Sequence, residues 1–170
     1  TATGRRSATS LRSSIPTEQA KEQAWTAAIT DQSLPNALLE ATMSGLGIPE
    51  QRELYRGFRG RYFEAIGEVW DTRSTEMAGM VATALYPGLL IEPETVSVTN
   101  EFLAAHDLPP GLSRILTEGR DGVQRRQVIG VGLHHALGQA RRSGGVYDRR
   151  EVLGPDGARA TLDFHRVARQ

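Results

Sequence analysis

The chain has 170 residues with 39% hydrophobic and only 6% aromatic content, which suits one domain, or one domain plus a tail, around a modest core. Its 20 basic and 20 acidic residues cancel, which argues against a general nucleic-acid binder, and no apolar run approaches the roughly 18 residues of a membrane span. Cysteine is absent, so disulfides and thiolate metal sites are excluded and a cytoplasmic setting is expected.

Among the cations only Lys21 is a lysine and the other 19 are arginines, a bias that codon preference explains better than phosphate recognition. The opening Thr1-Ala2-Thr3-Gly4-Arg5-Arg6 has neither a methionine nor an apolar leader, so a piece of a longer chain is expected.

In chain order, residues 1–14 are rich in Ser, Thr and Arg and read as a flexible N-terminal remnant. A helix should begin at Ile15-Pro16-Thr17, with Thr17 as cap, Glu18 at the positive end of the dipole, and Ala24, Trp25, Ala28 and Ile29 on one face. Ser33-Leu34-Pro35-Asn36 is a second start signal, with Ser33 as cap and Leu39, Met43 and Leu46 following at helical spacing as far as Gly47. Pro49-Glu50 opens a long central helix whose stripe is Leu54, Phe58, Tyr62, Ile66 and Val69 or Trp70, with a break expected near Gly60. This stretch holds most of the chain's large rings, so the core should condense on it.

Ser74 caps a further helix with Met77, Met80, Val81, Ala84 and Leu85 on one side, stopped by Pro87-Gly88. Glu92-Pro93-Glu94-Thr95 starts another, carrying Thr99, Phe102, Leu103 and His106. After Leu108-Pro109-Pro110-Gly111, a last helix aligns Leu112, Ile115, Leu116, Gly119 and Val123. Short amphipathic helices with short loops predict an all-α, irregular antiparallel array resembling a HEAT or armadillo superhelix. Beyond Arg126 the style changes. Val128 to Leu133 reads as a strand or loose helix, and Gly154-Pro155-Asp156-Gly157 as the turn of a short β-hairpin in a tail that is otherwise poorly ordered. The expected organisation is thus 1–14 flexible, 15–126 helical, 127–170 tail.

Few residues suggest chemistry. His134-His135 are adjacent and diverge on a helix, unlike the one-turn spacing of a zinc hydrolase, and His106 and His165 are isolated. Glu64 and Glu68 sit one turn apart, which fits a solvated face better than an acid–base pair. Met77 and Met80 fit the core. Gly130-Val131-Gly132 is too short for a phosphate loop, and no nucleophile, base and orienter set assembles.

Several stretches nevertheless fall in a familiar order. They are Thr1-Ala2-Thr3-Gly4, Ile15-Pro16-Thr17 with Ala20-Lys21 and Ala24-Trp25, Ser33-Leu34-Pro35-Asn36-Ala37-Leu38, and Arg61-Tyr62-Phe63-Glu64-Ala65 with Val69-Trp70. Arg73-Ser74 with Glu76-Met77-Ala78, Leu108-Pro109-Pro110-Gly111-Leu112 and Glu118-Gly119-Arg120-Asp121-Gly122-Val123 complete the series. In these the chain resembles, over residues 1–126, the C-terminal helical domain of zinc aminopeptidases of the aminopeptidase N type, in the form found in actinobacteria. Family members usually stop shortly after the last of these motifs, so residues 127–170 depart from the pattern.

The resemblance implies a helical domain that packs on a zinc catalytic domain and encloses a chamber admitting peptides. It also implies what is missing: neither a His-Glu-x-x-His-x18-Glu zinc motif nor a Gly-x-Met-Glu-Asn motif is present, so zinc belongs to the parent enzyme and none is expected on this chain. The expected partners are the upstream catalytic domain and a peptide substrate, with neither nucleic acid nor membrane. Arg73, Glu118 and Arg120 are the candidate chamber-lining residues, against surface ion pairing as the plainer role. The competing expectation is a free-standing helical-repeat module that binds a peptide or protein without catalysis.

Overall fold

A computed structural model describes the backbone of residues 1–143, 151–153 and 159–161, and the side chains of residues 1–129. The chain divides into two compact units, Thr1–Gly130 and Val131–Gln170. In the second unit, β1 (Glu151–Leu153) pairs antiparallel with β2 (Arg159–Thr161), Val152 lying opposite Ala160. The expected Gly154-Pro155-Asp156-Gly157 turn, and the expectation of disorder around it, lie outside the described residues.

The first unit is an all-α array. Its helices are α1 (Ala2–Ser14), α2 (Glu18–Thr30), α3 (Asn36–Ser44), α4 (Arg52–Tyr55), α5 (Phe58–Thr72), α6 (Thr75–Ala84), α7 (Pro93–Ala105) and α8 (Pro110–Ser143), of which residues up to Gly130 belong here. Helices pack on neighbours close in sequence: α1 with α2 and α3, α5 with α6 and α7. Local chemistry sets many boundaries. Thr17 accepts the Ala20 amide to start α2, Ser74 accepts that of Met77 to start α6, and Pro93 sits in the first turn of α7, where no amide donor is needed.

Three expectations are corrected. Residues 1–14 are not a flexible remnant but a 13-residue helix, started by the Thr1 hydroxyl on the Gly4 amide. Ser13 and Ser14 bond locally, Ser14 donating to Ser10 O at 2.6 Å, and the helix is anchored by contacts made far along the chain. Ser33 does not cap α3, because Asp31 Oδ1 takes its hydroxyl at 2.6 Å; Pro35 is the cap position, and α3 ends at Ser44 rather than Gly47. The long helix from Pro49 is broken, into a 3-10 turn at Pro49–Gln51, then α4, then α5, and the break falls at Arg56-Gly57 instead of Gly60. Of the two alternatives for residues 128–133, strand or loose helix, the backbone is helical, within α8.

The core forms on the α5 stripe. Phe58, Tyr62, Ile66 and Val69 are buried as expected, while Tyr55, not Leu54, fills the first position. Trp25 stacks on Phe58 with centroids 4.7 Å apart, and Tyr62 meets Phe63 and Tyr86 edge-on. Each buried phenol has a partner: Tyr55 donates to Leu85 O at 2.5 Å, Tyr62 to Ala82 O at 2.7 Å, and Tyr86 shares a hydrogen bond with Thr99 at 2.9 Å. The Tyr86 ring leaves no room on α8, where a Cβ at Gly119 would lie 2.7 Å from it. Gly119→Ala should therefore cost about 1–3 kcal/mol as the buried ring is displaced. Urea unfolding reads this directly, and an unchanged midpoint would contradict the close packing.

Candidate functional site

Of the three residues expected at a site, Arg73 lies just past the end of α5, and its Nη2 donates to the carbonyls of Ala28 at 2.8 Å and Ile29 at 3.0 Å. It thereby satisfies the free carbonyls at the C-terminal end of α2 with a cation, which is what that end of a helix dipole favours. Burial lowers its pKa from the ordinary arginine value, and the Asp31 charge opposes that shift. Arg120 ties α8 to α7, through Nη1 on Asn100 Oδ1 at 2.9 Å, and holds its own neighbour Asp121 through Nη2 at 2.8 Å. Glu118 is exposed, 3.8 Å from Arg114 one turn away, on the border of a groove of about 500 Å³ that Tyr86, Gly119, Arg125 and Arg126 also line. The structure does not bring these three together: they share no hydrogen bond, and Arg73 and Arg120 line neither groove described here.

Two constellations lie outside that expectation. The first is a groove of about 420 Å³ lined by Glu18, Glu22, Glu53, Phe58 and Arg61. Inside it Arg61 grips Glu22 bidentately, at 2.6 and 2.8 Å, with its guanidinium 5.1 Å from the Phe58 ring centroid and 5.7 Å from that of Trp25. The Arg61 hydrogen bonds hold the Glu22 carboxyl below its usual range. Glu22 and Arg61 thus satisfy each other's charge.

The second is a node around Lys21, 1% exposed, whose Nζ donates to Ser13 O at 2.8 Å and Gly45 O at 2.6 Å. Gly45 is required there: a Cβ would overlap the Ser13 hydroxyl and lie 2.6 Å from its carbonyl carbon. Gln51 adds a bond from Nε2 to Ser14 O at 3.0 Å. One ammonium therefore joins α1, α2 and the end of α3. The partners of Lys21 stand 8 and 24 residues away, so nothing in the local sequence announces them. In the sequence Lys21 stands apart as the sole lysine and as part of the Ala20-Lys21 stretch of the family resemblance.

Among the described residues, no group of three or more His, Asp or Glu could hold a metal ion. Glu64 and Glu68 are exposed, and His106 contacts Phe102 through its ring and carbonyl. His134, His135 and His165 have side chains outside the described residues. Also among the described residues, no helix is long and apolar enough to cross a membrane. Arg73 Nη2 and Lys21 Nζ both donate to carbonyls at or near helix ends.

Comparison with known proteins gives this arrangement a context. Residues 1–125 match the family model of the ERAP1-like C-terminal domain. Over 125 residues the chain is 40% identical to aminopeptidase N of Streptomyces lividans, an alignment that covers 74% of this chain and 15% of that protein. The chain therefore spans about 15% of the length of the relative it matches.

Proposed function

The chain belongs to the family of ERAP1-like C-terminal domains, and on that premise we propose that it is the non-catalytic C-terminal part of a zinc aminopeptidase that removes N-terminal residues from peptides. Its task is to wall the chamber in which peptides reach the zinc. The observation that carries this reading is a coincidence of boundaries: the family match ends at residue 125 and the compact helical unit at Gly130.

In this reading the zinc belongs to the catalytic domain of the parent enzyme, as the likeness to aminopeptidase N implies, and there it would activate the attacking water. No step of this chain's own action runs through it. In this reading Arg73 and Arg120 serve the chamber by holding its helices, α2 and α5 in one case and α7 and α8 in the other. Glu118, exposed at a groove edge, is left to face peptide. The lack of cysteine favours work in the cytoplasm.

The test is a chimera: Streptomyces lividans aminopeptidase N carrying residues 1–125 of this chain in place of its matching segment. Its hydrolysis of an aminoacyl anilide should match the parent, as should its fall in rate from short peptides to long polypeptides. Deleting the segment should blunt that discrimination at least several-fold. A deletion enzyme with rates and length preference unchanged would overturn the chamber role.

A further inference from the structure

The groove beside Tyr86 gathers two cations that, among the described residues, no carboxylate pairs. Between Pro110 and Ile129, α8 carries four arginines and two carboxylates. Both carboxylates are taken: Arg120 holds Asp121 at 2.8 Å, and Glu118 faces Arg114 at 3.8 Å. Arg125 and Arg126 are left over, and among the described residues neither forms an ion pair. They stand three and four residues after Gly122, so both overlie it on one side of the helix. Their Nη2 atoms come within 3.9 and 3.8 Å of the point that a Cβ on Gly122 would occupy. Arg126 is also held in place, its Nε donating to Gly122 O at 3.1 Å and its Nη2 lying 3.3 Å from where a Cβ on Gly88 would stand. The bare backbone at Gly88 and Gly122 thus makes a floor over which two guanidinium groups converge. Like charges so placed repel, and in a groove their summed field favours an anion.

We infer that this groove is a binding site for a small phosphate monoester, taken as its dianion. Three observations select that class. Two uncompensated guanidinium groups match two negative charges, and their planar forks suit phosphate oxygens. The cavity of about 500 Å³ has the size of a small-molecule site rather than of a lone ion. Its wall continues into the Tyr86 ring and Ile129, 63% exposed, which offer the ester's organic group an apolar surface. Thr83 brings a hydroxyl from α6 to the same groove, so a bound ester would tie α6 to α8. Arg126 and Ile129 lie beyond residue 125, where the family match stops. The site stands on this chain's own geometry and needs nothing from the aminopeptidase reading.

Calorimetric titration of the 170-residue chain with phenyl phosphate, inorganic phosphate and phenyl sulfate tests this, at fixed ionic strength and about pH 8, where a phosphate monoester is a dianion. Phenyl phosphate should bind one to one and raise the melting temperature at saturation. Inorganic phosphate should bind several-fold more weakly, for want of the apolar contact. Phenyl sulfate, the same shape with one charge fewer, should bind at least tenfold more weakly. Arg125→Gln and Arg126→Gln should each weaken phenyl phosphate binding about tenfold, the loss of one charge-assisted pair. Glu118→Gln, which removes the acid at the groove's border, should strengthen it. All three positions are exposed, so circular dichroism and melting temperature of the ligand-free chain should hold.

Phenyl sulfate bound as tightly as phenyl phosphate would overturn the dianion assignment and with it the inference. So would the absence of saturable binding at millimolar phenyl phosphate, or binding that survives both arginine substitutions together. Each of these results leaves the proposed function standing, because the length test on the chimera does not involve the ester.

Discussion

Replacing Lys21 by Met should lower the stability of the helical unit by about 3 kcal/mol, since two buried carbonyls lose their donor at about 1–3 kcal/mol each. For a unit of this size that is a fall in melting temperature of roughly 10 °C. Met keeps most of the aliphatic stem, so the loss reports the ammonium rather than packing. Burial lowers the Lys21 pKa, an effect the two carbonyl acceptors resist by favouring the charged form. The substitution should act locally first: α1 loosens from α2 and α3 while the α5 core survives, so exchange in α1 quickens before global unfolding. Calorimetry and exchange of the variant measure both, and a variant melting within 1–2 °C of the parent would show that the node is dispensable.

The second large effect is alkaline unfolding. Tyr55, Tyr62 and Tyr86 are buried and hydrogen-bonded, and desolvation raises each phenol's pKa above the ordinary value near 10. In the unfolded chain those phenols ionise as pH passes about 10, so the unfolded state loses protons the folded state keeps, and stability falls as pH rises. One pH unit above that point the loss is about 1.4 kcal/mol for each fully buried phenol. Tyr55 and Tyr62 thus account for about 3 kcal/mol by pH 11, and Tyr86 adds a smaller share. Tyr62→Phe removes one titrating group, so its stability should decline less steeply between pH 9.5 and 11. Parallel slopes for parent and variant would contradict the burial of Tyr62.

Much of the helical plan is written in local signals, because capping and proline chemistry act within a turn. Thr17, Ser74 and Pro93 each sit where the sequence placed them, and the α5 stripe from Phe58 to Val69 is buried. The failures have two physical causes, anchoring by partners far along the chain and competition within a single turn. Residues 2–14 have a local start in the Thr1 cap, and Lys21 and Ala41 anchor the helix through Ser13 from 8 and 28 residues away. Ser33 has the right residue type for a cap but a nearer acceptor in Asp31.

The site was less legible still. Arg73 was singled out as a chamber-lining candidate, and its bond to Ala28 O spans 45 residues, a separation no spacing rule reaches. The Glu22–Arg61 pair, 39 residues apart, went unseen for the same reason. Family membership was legible as ordered short motifs, and the match over residues 1–125 agrees with the extent read from them.

The central claim is that this chain supplies walls and not chemistry. The most direct measurement is aminoacyl-anilide hydrolysis by the purified 170-residue chain with zinc added, alongside equilibrium dialysis of the metal. The account predicts no turnover above buffer and no stoichiometric zinc retained. Turnover that a chelator abolishes and added zinc restores would contradict it.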